Sequence, residues 1–365
     1  MCAGYNPQAL KGRIPKRTES RMKWQPLCFV ALFGSLFAAS AGGPVDPGSA
    51  AIEPHDASGS PPDTLPAIPD SPLLALGHKI STTPHFLILD AGGHDSAQPE
   101  LPATLEESYA SFLEVFTDLG FPVERPAERL LWLCFDGRKS YERACTPGSG
   151  LDLFWLDSHY ATRSNCVVLV DSPEQHEAGL DRRRVAHEAA HQLAFNTGLM
   201  TRGVCYPFWI SEGLATNFEP AETGERFELP ANPERAIGLT RIAEAGRLLP
   251  IDELLTLTEI GPQQAPLVGE IYDQAWGFFR FMLDRDPEAL GNYLEALRPS
   301  PVGPCPPAVL HQGFVDAFGD PASLLQDWES FAREAADEAS APEPVAFSPS
   351  ETDSTAGRAS SASAG

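Results

Sequence analysis

Short apolar runs alternate with longer segments of helical periodicity along the first half of the chain. A strand is predicted wherever a short run of apolar residues stands between polar or glycine-rich stretches. Four segments fit this description: 85–90, 130–135, 152–156 and 166–170. Residues 104–119 instead place apolar side chains on one helical face and end at Gly120. They predict an amphipathic helix between the first two strands.

After residue 173 the hydrophobic pattern is helical, with breaks at prolines and glycines. Asp181 is a suitable N-cap for a helix that ends near Asn196-Thr197-Gly198, and 208–219 repeats the helical pattern after a loop. Further helices are predicted at 233–247, 251–257, 267–284, 287–297, 307–318 and 321–337. This order predicts an α+β fold in which a small mixed β-sheet precedes a mostly helical half, within one domain at 81–340.

The segments outside this domain have a different composition. Residues 1–41 join a basic region to the apolar run Leu27–Ala39 and the small-residue sequence Ala39-Ser40-Ala41, which predicts a signal peptide. Because the basic region of this segment is long, Met22 is an alternative initiator. A membrane anchor retained at the N-terminus is the alternative to cleavage. Residues 42–80 and 341–365 are rich in Pro, Ser, Ala and Gly, which predicts a disordered linker and a disordered tail. We expect an exported protein, secreted or periplasmic in a bacterium.

Charge narrows the range of partners. The formal net charge is −24, and residues 1–41 carry six Lys or Arg residues against one Glu, so the remainder is more acidic than the total. Such a protein repels nucleic acid and anionic membrane surfaces. We therefore expect no nucleic-acid partner and, after signal cleavage, no membrane partner. The pattern does not indicate an oligomeric state.

Cysteine usage is compatible with export. Five cysteines follow the predicted cleavage site, so at least one is unpaired within the chain: Cys134, Cys145, Cys166, Cys205 and Cys305. None of them has metal-site spacing. Cys205–Cys305 and Cys145–Cys166 are the first disulfide pairings to test.

The candidate chemistry centres on His187-Glu188-Ala189-Ala190-His191. On a helix, residues four apart share a face, so both imidazoles can bind one metal ion while Glu188 acts on a water molecule. A catalytic zinc site needs a third protein ligand. Glu212 is the candidate, because it follows His191 at a distance that lets a second helix pack against the first. The cofactor prediction is one Zn²⁺ per chain.

The residues around Glu212 carry a family resemblance. Trp209-Ile210-Ser211-Glu212-Gly213-Leu214-Ala215 resembles the W-x-x-E-G-x-A element of gluzincin metallopeptidases, in which the glutamate is the third zinc ligand. Together with the sequences at 187–193, 196–199 and 272–276, it resembles more closely the DUF1570 family of exported bacterial proteins. The resemblance implies a thermolysin-like catalytic domain with its cleft between the two halves. It also implies an edge strand that binds the substrate backbone, for which 152–157 and 166–170 are both candidates.

Two further positions follow from this resemblance. Tyr272 lies where related enzymes place a hydrogen-bond donor to the oxyanion, and its alternative role is core packing against Trp276. Four residues after Glu212, where the thermolysin pattern has a carboxylate that orients a zinc histidine, this chain has Thr216. Its hydroxyl, or Asn217 or Glu219, is then the candidate partner. His159 is a weaker candidate for the cleft.

The expected activity is zinc-dependent hydrolysis of peptide bonds, with a peptide or protein as substrate. Glu188 is the expected general base and Tyr272 the expected oxyanion donor. A catalytically inactive zinc-fold module that binds peptides or surface polymers is the alternative. An intact Glu188 favours the enzyme, because a binding scaffold does not need a base. The absence of a G-x-M-E-N-like motif disfavours an aminopeptidase.

Overall fold

One five-stranded mixed sheet forms the first half of the domain. The computed structural model describes residues 79–90, 100–144, 157–170, 180–220, 232–300, 303 and 305–339. The strands are β1 (Lys79–Thr82), β2 (Phe86–Asp90), β3 (Leu130–Phe135), β4 (Ser158–Ala161) and β5 (Cys166–Val170). They lie in the order β1-β2-β3-β5-β4. The three central strands are parallel, and each outer strand is antiparallel to its neighbour.

Helices form the rest of the domain. They are α1 (Leu101–Asp118), α2 (Arg138–Ala144), α3 (Arg182–Asn196), α4 (Phe208–Asn217), α5 (Pro233–Glu244), α6 (Ile251–Thr256), α7 (Val268–Arg285), α8 (Pro287–Leu297), α9 (Pro307–Phe318) and α10 (Leu325–Ala339). Short 3₁₀ turns at 265–267 and 321–324 lead into α7 and α10. The predicted α+β class is therefore confirmed. Among the described residues, none of the helices combines the length and apolar character needed to cross a membrane.

Helices cover both faces of the sheet. On one face, Trp132 and Val167 pack with α1 and α3 in a core that continues through the helical half. On the other face, Leu133 and Val168 pack with Tyr141 of α2. Burial on both faces explains why β3 is an uninterrupted apolar run.

Side-chain hydrogen bonds fix α3 on the sheet. Asp181 caps the helix by accepting a hydrogen bond from the backbone N–H of Arg184 at 3.2 Å. The Trp132 indole N–H donates to Gln192 Oε1 at 2.9 Å, and Gln192 Nε2 donates to the Leu131 carbonyl at 3.2 Å. With Gln192 bound to the sheet, the His187 and His191 face of α3 points toward the helical half.

The structure corrects several sequence-based expectations. β5 lies between β3 and β4, so 166–170 is an interior strand and does not offer an edge to a substrate. β1, β4 and α2 were not predicted. The proposed strand at 152–156 lies outside the described residues, as do the predicted signal peptide, most of the predicted linker and the predicted C-terminal tail.

His159 and the cysteines also differ from expectation. His159 pairs with Val168 in the ladder and contacts Tyr141, which places it on the sheet face opposite α3, away from any cleft between the halves. Cys205 and Cys305 are thiols, not a disulfide, although the Cys305 backbone N–H donates to the Cys205 sulfur. Cys166 is also a thiol, and its proposed partner Cys145 lies outside the described residues.

Candidate metal centre

Three predicted ligands meet between α3 and α4. His187, His191 and Glu212 are buried, and one donor atom from each lies within 4.8 Å of the others. The two Nε2 atoms are 3.1 Å apart. Glu212 Oε2 lies 3.3 Å from His187 Nε2, and Glu212 Oε1 lies 3.5 Å from His191 Nε2. The sequence-predicted grouping is therefore present in the fold.

The spacing of the donors fits a small tetrahedral ion. Metal–nitrogen and metal–oxygen bonds of ~2.0–2.2 Å place neighbouring tetrahedral ligands about 3.3–3.6 Å apart. Glu212 Oε2 is fully buried, and its 3.3 Å contact with His187 Nε2 is not aligned as a hydrogen bond. A buried carboxylate oxygen of this kind is costly unless a cation or a donor satisfies it. Two imidazoles and one carboxylate, with a fourth position for water, are a set typical of catalytic zinc sites.

Close backbone contact between α4 and α7 fixes the position of Glu212. A Cβ atom on the next residue, Gly213, would lie 2.4 Å from the Ala275 carbonyl oxygen and 2.8 Å from Phe279 Cβ. Glycine therefore lets the two helix backbones touch. The Asn217 side chain adds a hydrogen bond from α4 to the Trp276 carbonyl at 3.0 Å. These contacts hold Glu212 in place from the side opposite the histidines.

Glu188 lies beside the donors and is not bound to them. Its side chain is 3% exposed, and its Oε2 atom has no hydrogen-bond partner among the described residues. A buried carboxylate with an unsatisfied oxygen next to a metal site is suited to accept a proton from a water molecule. The general-base role of Glu188 stays a prediction.

The ionisable groups of the site are strongly coupled. Burial lowers the pKa of His187, but hydrogen bonds to Glu212 and Glu219 outweigh burial and raise it to about 10. Burial raises the pKa of Glu212, whereas the charge of His191 and hydrogen bonds from both histidines hold it well below its usual value. A protonated His187 thus compensates the Glu212 carboxylate when no metal ion is present.

Glu219 is the carboxylate that orients a histidine of the site. Its Oε1 atom lies 3.0 Å from His187 Nδ1. Thr216 does not take this role, because its hydroxyl donates to the carbonyls of Glu212 and Gly213 within its own helix. Asn217 is also engaged elsewhere, in the contact between α4 and α7. Of the three residues that the sequence left open, Glu219 is the one whose side chain contacts a candidate-ligand imidazole.

Tyr272 of α7 borders the same centre. Burial, the charge of Glu212 and a hydrogen bond to Glu212 raise the pKa of the Tyr272 hydroxyl well above its usual value, so the hydroxyl keeps its proton. The ring lies 6.5 Å from the His187 ring and packs edge-on against Phe208 at 5.1 Å between centroids. Tyr272 thus packs in the core against Phe208 with its hydroxyl at Glu212, and its role as an oxyanion donor stays a prediction.

Two residues near the site were not identified from the sequence. Arg235 of α5 donates to Glu219, and it also donates to Asp273 at 3.1 Å. Arg235 follows an ordinary helix start and carries no motif, so no sequence signal marks it. Asp273 follows Tyr272 in a segment that carries the family resemblance, and this position is the signal that could have identified it from the sequence.

Comparison with known proteins is informative for one segment. Residues 183–242 match a family described as "Protein of unknown function (DUF1570)". The matched segment contains His187, Glu188, His191 and Glu212, and it ends before Tyr272. A search of curated proteins found no match to the chain.

Proposed function

We propose that this protein is an exported zinc-dependent metallopeptidase of the gluzincin type. The observation that carries the proposal is the buried group of His187, His191 and Glu212 beside the unsatisfied carboxylate of Glu188. Zinc is favoured because a set of two imidazoles and one carboxylate, with a fourth position left for water, suits it. The sequence resemblance around Glu212 supports the gluzincin type, and the basic and apolar segment at 1–41 supports export.

The side chains of the site suggest how the reaction proceeds. When bound, zinc lowers the pKa of a coordinated water to about 7 and polarises the substrate carbonyl. Glu188 accepts the proton of the attacking water and returns it to the leaving amine. Tyr272, which keeps its proton, donates a hydrogen bond to the oxyanion that develops on the carbonyl. Glu219 holds His187 in the tautomer that presents Nε2 to the ion.

Strand β4 is the element we assign to the substrate backbone. Among the described strands it pairs only with β5, and we assign its other edge to an added strand. It also lies against α3, where Tyr160 stacks on Phe195 at 5.7 Å between ring centroids. An extended peptide that adds to β4 would run beside the helix that carries His187 and His191.

Metal analysis and a peptide-hydrolysis assay test the proposal. Purified protein should hold one zinc per chain, and His187→Ala should lose it. Replacement of His311, an exposed histidine paired with Asp252, should leave the metal content unchanged. Glu188→Gln should retain zinc and lose cleavage of unstructured peptides by about 10²–10⁴-fold.

Two results would count against the proposal. Zinc content that His187→Ala leaves intact would show that the ion binds elsewhere. One zinc per chain with no cleavage across a broad peptide library would instead favour the inactive binding module. The unsatisfied carboxylate of Glu188 argues for the enzyme, because a purely structural zinc site gains nothing from that buried group.

A further inference from the structure

Arg235 is a buried cation between two carboxylates from different parts of the chain. Its side chain is 14% exposed. One guanidinium nitrogen, Nη2, lies 3.4 Å from each oxygen of Glu219, and the other, Nη1, lies 3.1 Å from Asp273 Oδ1. The planar guanidinium group suits this geometry, because it can donate to two carboxylates in fixed directions. Removing it would leave two largely buried acids without their cation.

The contact with Glu219 extends to the metal centre. Glu219 Oε1 lies 3.0 Å from His187 Nδ1 on one side, and both carboxylate oxygens contact Arg235 on the other. A carboxylate held from both sides cannot rotate away from the imidazole. The orientation of the His187 ring therefore depends on Arg235 through Glu219.

The contact with Asp273 connects the same arginine to α7. Asp273 follows Tyr272, and the Arg235 guanidinium carbon lies 5.6 Å from the centre of the Tyr272 ring. Asp273 fits against α5 only because position 238 is a glycine: a Cβ atom there would lie 2.1 Å from Asp273 Oδ2. The chain thus leaves room on α5 for the carboxylate that orients Arg235.

We propose that Arg235 is a positioning residue for the metal centre. It acts through Glu219 to hold the His187 ring with Nε2 toward the ion, and through Asp273 it holds the helix of Tyr272 against the same group. The inference rests on the proposed metal site of His187, His191 and Glu212. It does not depend on which reaction the site catalyses.

Metal affinity is the direct measurement, made on the full-length protein by competition of a chromogenic chelator for zinc. Arg235→Met should weaken zinc binding by about 10–100-fold, as is usual for residues that orient a metal ligand. Arg235→Lys should recover only part of the lost zinc affinity. It restores the positive charge, but an ammonium group cannot bind two carboxylates in fixed directions as a planar guanidinium does. Arg241→Met removes an exposed arginine from the same helix and should leave zinc affinity within about twofold of wild type.

A double-mutant cycle with Glu219→Gln separates positioning from a general structural role. If Arg235 acts through Glu219, the double variant should bind zinc little more weakly than Glu219→Gln alone. Losses that simply multiply would overturn the inference, since Arg235 would then act independently of Glu219. Zinc affinity of Arg235→Met equal to wild type would also overturn it.

Two milder variants keep the test decisive if Arg235→Met fails to fold. Asp273→Asn keeps the shape of the side chain and removes its charge, and Gly238→Ala displaces Asp273 without removing any charged group. Both should weaken zinc binding about 3–10-fold, and unchanged affinity in both would overturn the inference. If zinc binding follows this pattern but the protein cleaves no peptide, the result would support the positioning role of Arg235 and count against the proposed peptidase activity. A wild-type protein that binds no zinc would overturn the metal site and this inference together.

Discussion

At the scale of single residues, the charge of the metal centre depends on one carboxylate that faces two imidazoles. Without a metal ion, the raised pKa of His187 keeps a proton near Glu212. A divalent ion bound at this group would compete with the proton for the same Nε2 atom, so we expect metal binding to release a proton. Such an ion would replace an internal ion pair and would not enter an uncharged pocket.

A single substitution can test the proposed role of the Tyr272 hydroxyl as a hydrogen-bond donor to the oxyanion. Tyr272→Phe should lower kcat by about 10²-fold, because one hydrogen-bond donor to the oxyanion is lost. Zinc content and thermal stability should stay near wild type, since the ring keeps its contact with Phe208. Tyr293→Phe, a buried tyrosine of the helical core, is the matched control for kcat. An unchanged kcat in Tyr272→Phe would leave Tyr272 with a packing role alone.

His159 should make stability depend on pH in a window that the metal centre does not share. Burial, followed by the charge of Arg138, lowers the pKa of His159 to about 4, and neither ring nitrogen has a hydrogen-bond partner among the described residues. The unfolded chain then binds the extra proton between pH ~6.5 and ~4, so the free energy of unfolding falls as pH drops through this range. The loss should be on the order of 3 kcal/mol for this fully buried side chain.

Urea unfolding of chelator-treated protein at pH 6.5 and pH 4.5 measures the effect of His159. His159→Leu should remove most of the difference in unfolding free energy between the two pH values. An equal difference in wild type and variant would mean that His159 is hydrated or paired in solution.

At the scale of elements, the position of the metal centre depends on how closely helices approach one another. Gly213→Ala should force α4 away from α7, because the new methyl group would lie 2.4 Å from a backbone oxygen that cannot rotate aside. We expect a loss of about 1–3 kcal/mol in stability and weaker zinc binding through Glu212.

Gly269→Ala on α7 is the matched control for Gly213→Ala, since a Cβ atom there meets no atom within 4 Å. The control should be neutral or slightly stabilising by about 0.5–1 kcal/mol, because alanine favours the helix over glycine. Equal stability of the two variants in thermal unfolding would contradict the close approach of α4 and α7.

Long periodic helices were predictable, whereas short elements that depend on distant contacts were not. α8 and α9 have the predicted bounds, because prolines at their first residues and apolar spacing fix them locally. β1 is exposed along its whole length, and only its pairing with β2 makes it a strand. β4 is similar. It begins with polar residues and is followed by a turn, so its sequence does not predict a strand, and it forms one because it pairs with β5.

At the scale of the whole molecule, the candidate metal site joins the sheet half to the helical half. The sequence could predict that His187, His191 and Glu212 come together, because the two histidines share one helix and the pattern around Glu212 is specific. It could not predict the contacts of Arg235 with Glu219 and Asp273, since these bring together three segments that no local spacing relates. Which of Thr216, Asn217 and Glu219 would face His187 likewise depended on where α4 ends.

Stability of the metal-free protein should fall at alkaline pH. The pKa of His187 is raised from about 6.5 to about 10, so its stabilising proton is fully present below pH ~6.5 and is lost as pH rises through ~10. The effect is on the order of a few kcal/mol and is one interaction shared with Glu212, so the two groups do not contribute separately.

Thermal unfolding with chelator and with zinc measures this contribution. Chelator-treated protein should show a falling Tm between pH 7 and pH 10, and zinc-loaded protein should show a much smaller change, because the ion replaces the proton. Parallel pH profiles with and without zinc would place the ion away from His187.

The order of the ligands along the chain also has a consequence for biosynthesis. His187, His191 and Glu212 lie on consecutive helices, so bringing them together closes only a short loop and costs little chain entropy. Asp273 and Tyr272 come from a helix that is synthesised much later. A growing chain could therefore gather its three donors before the helix that holds Glu212 in place exists, and it could capture whichever divalent ion is most abundant nearby. Export before folding would move this choice of ion from the cytoplasm to the outside, where zinc faces different competitors.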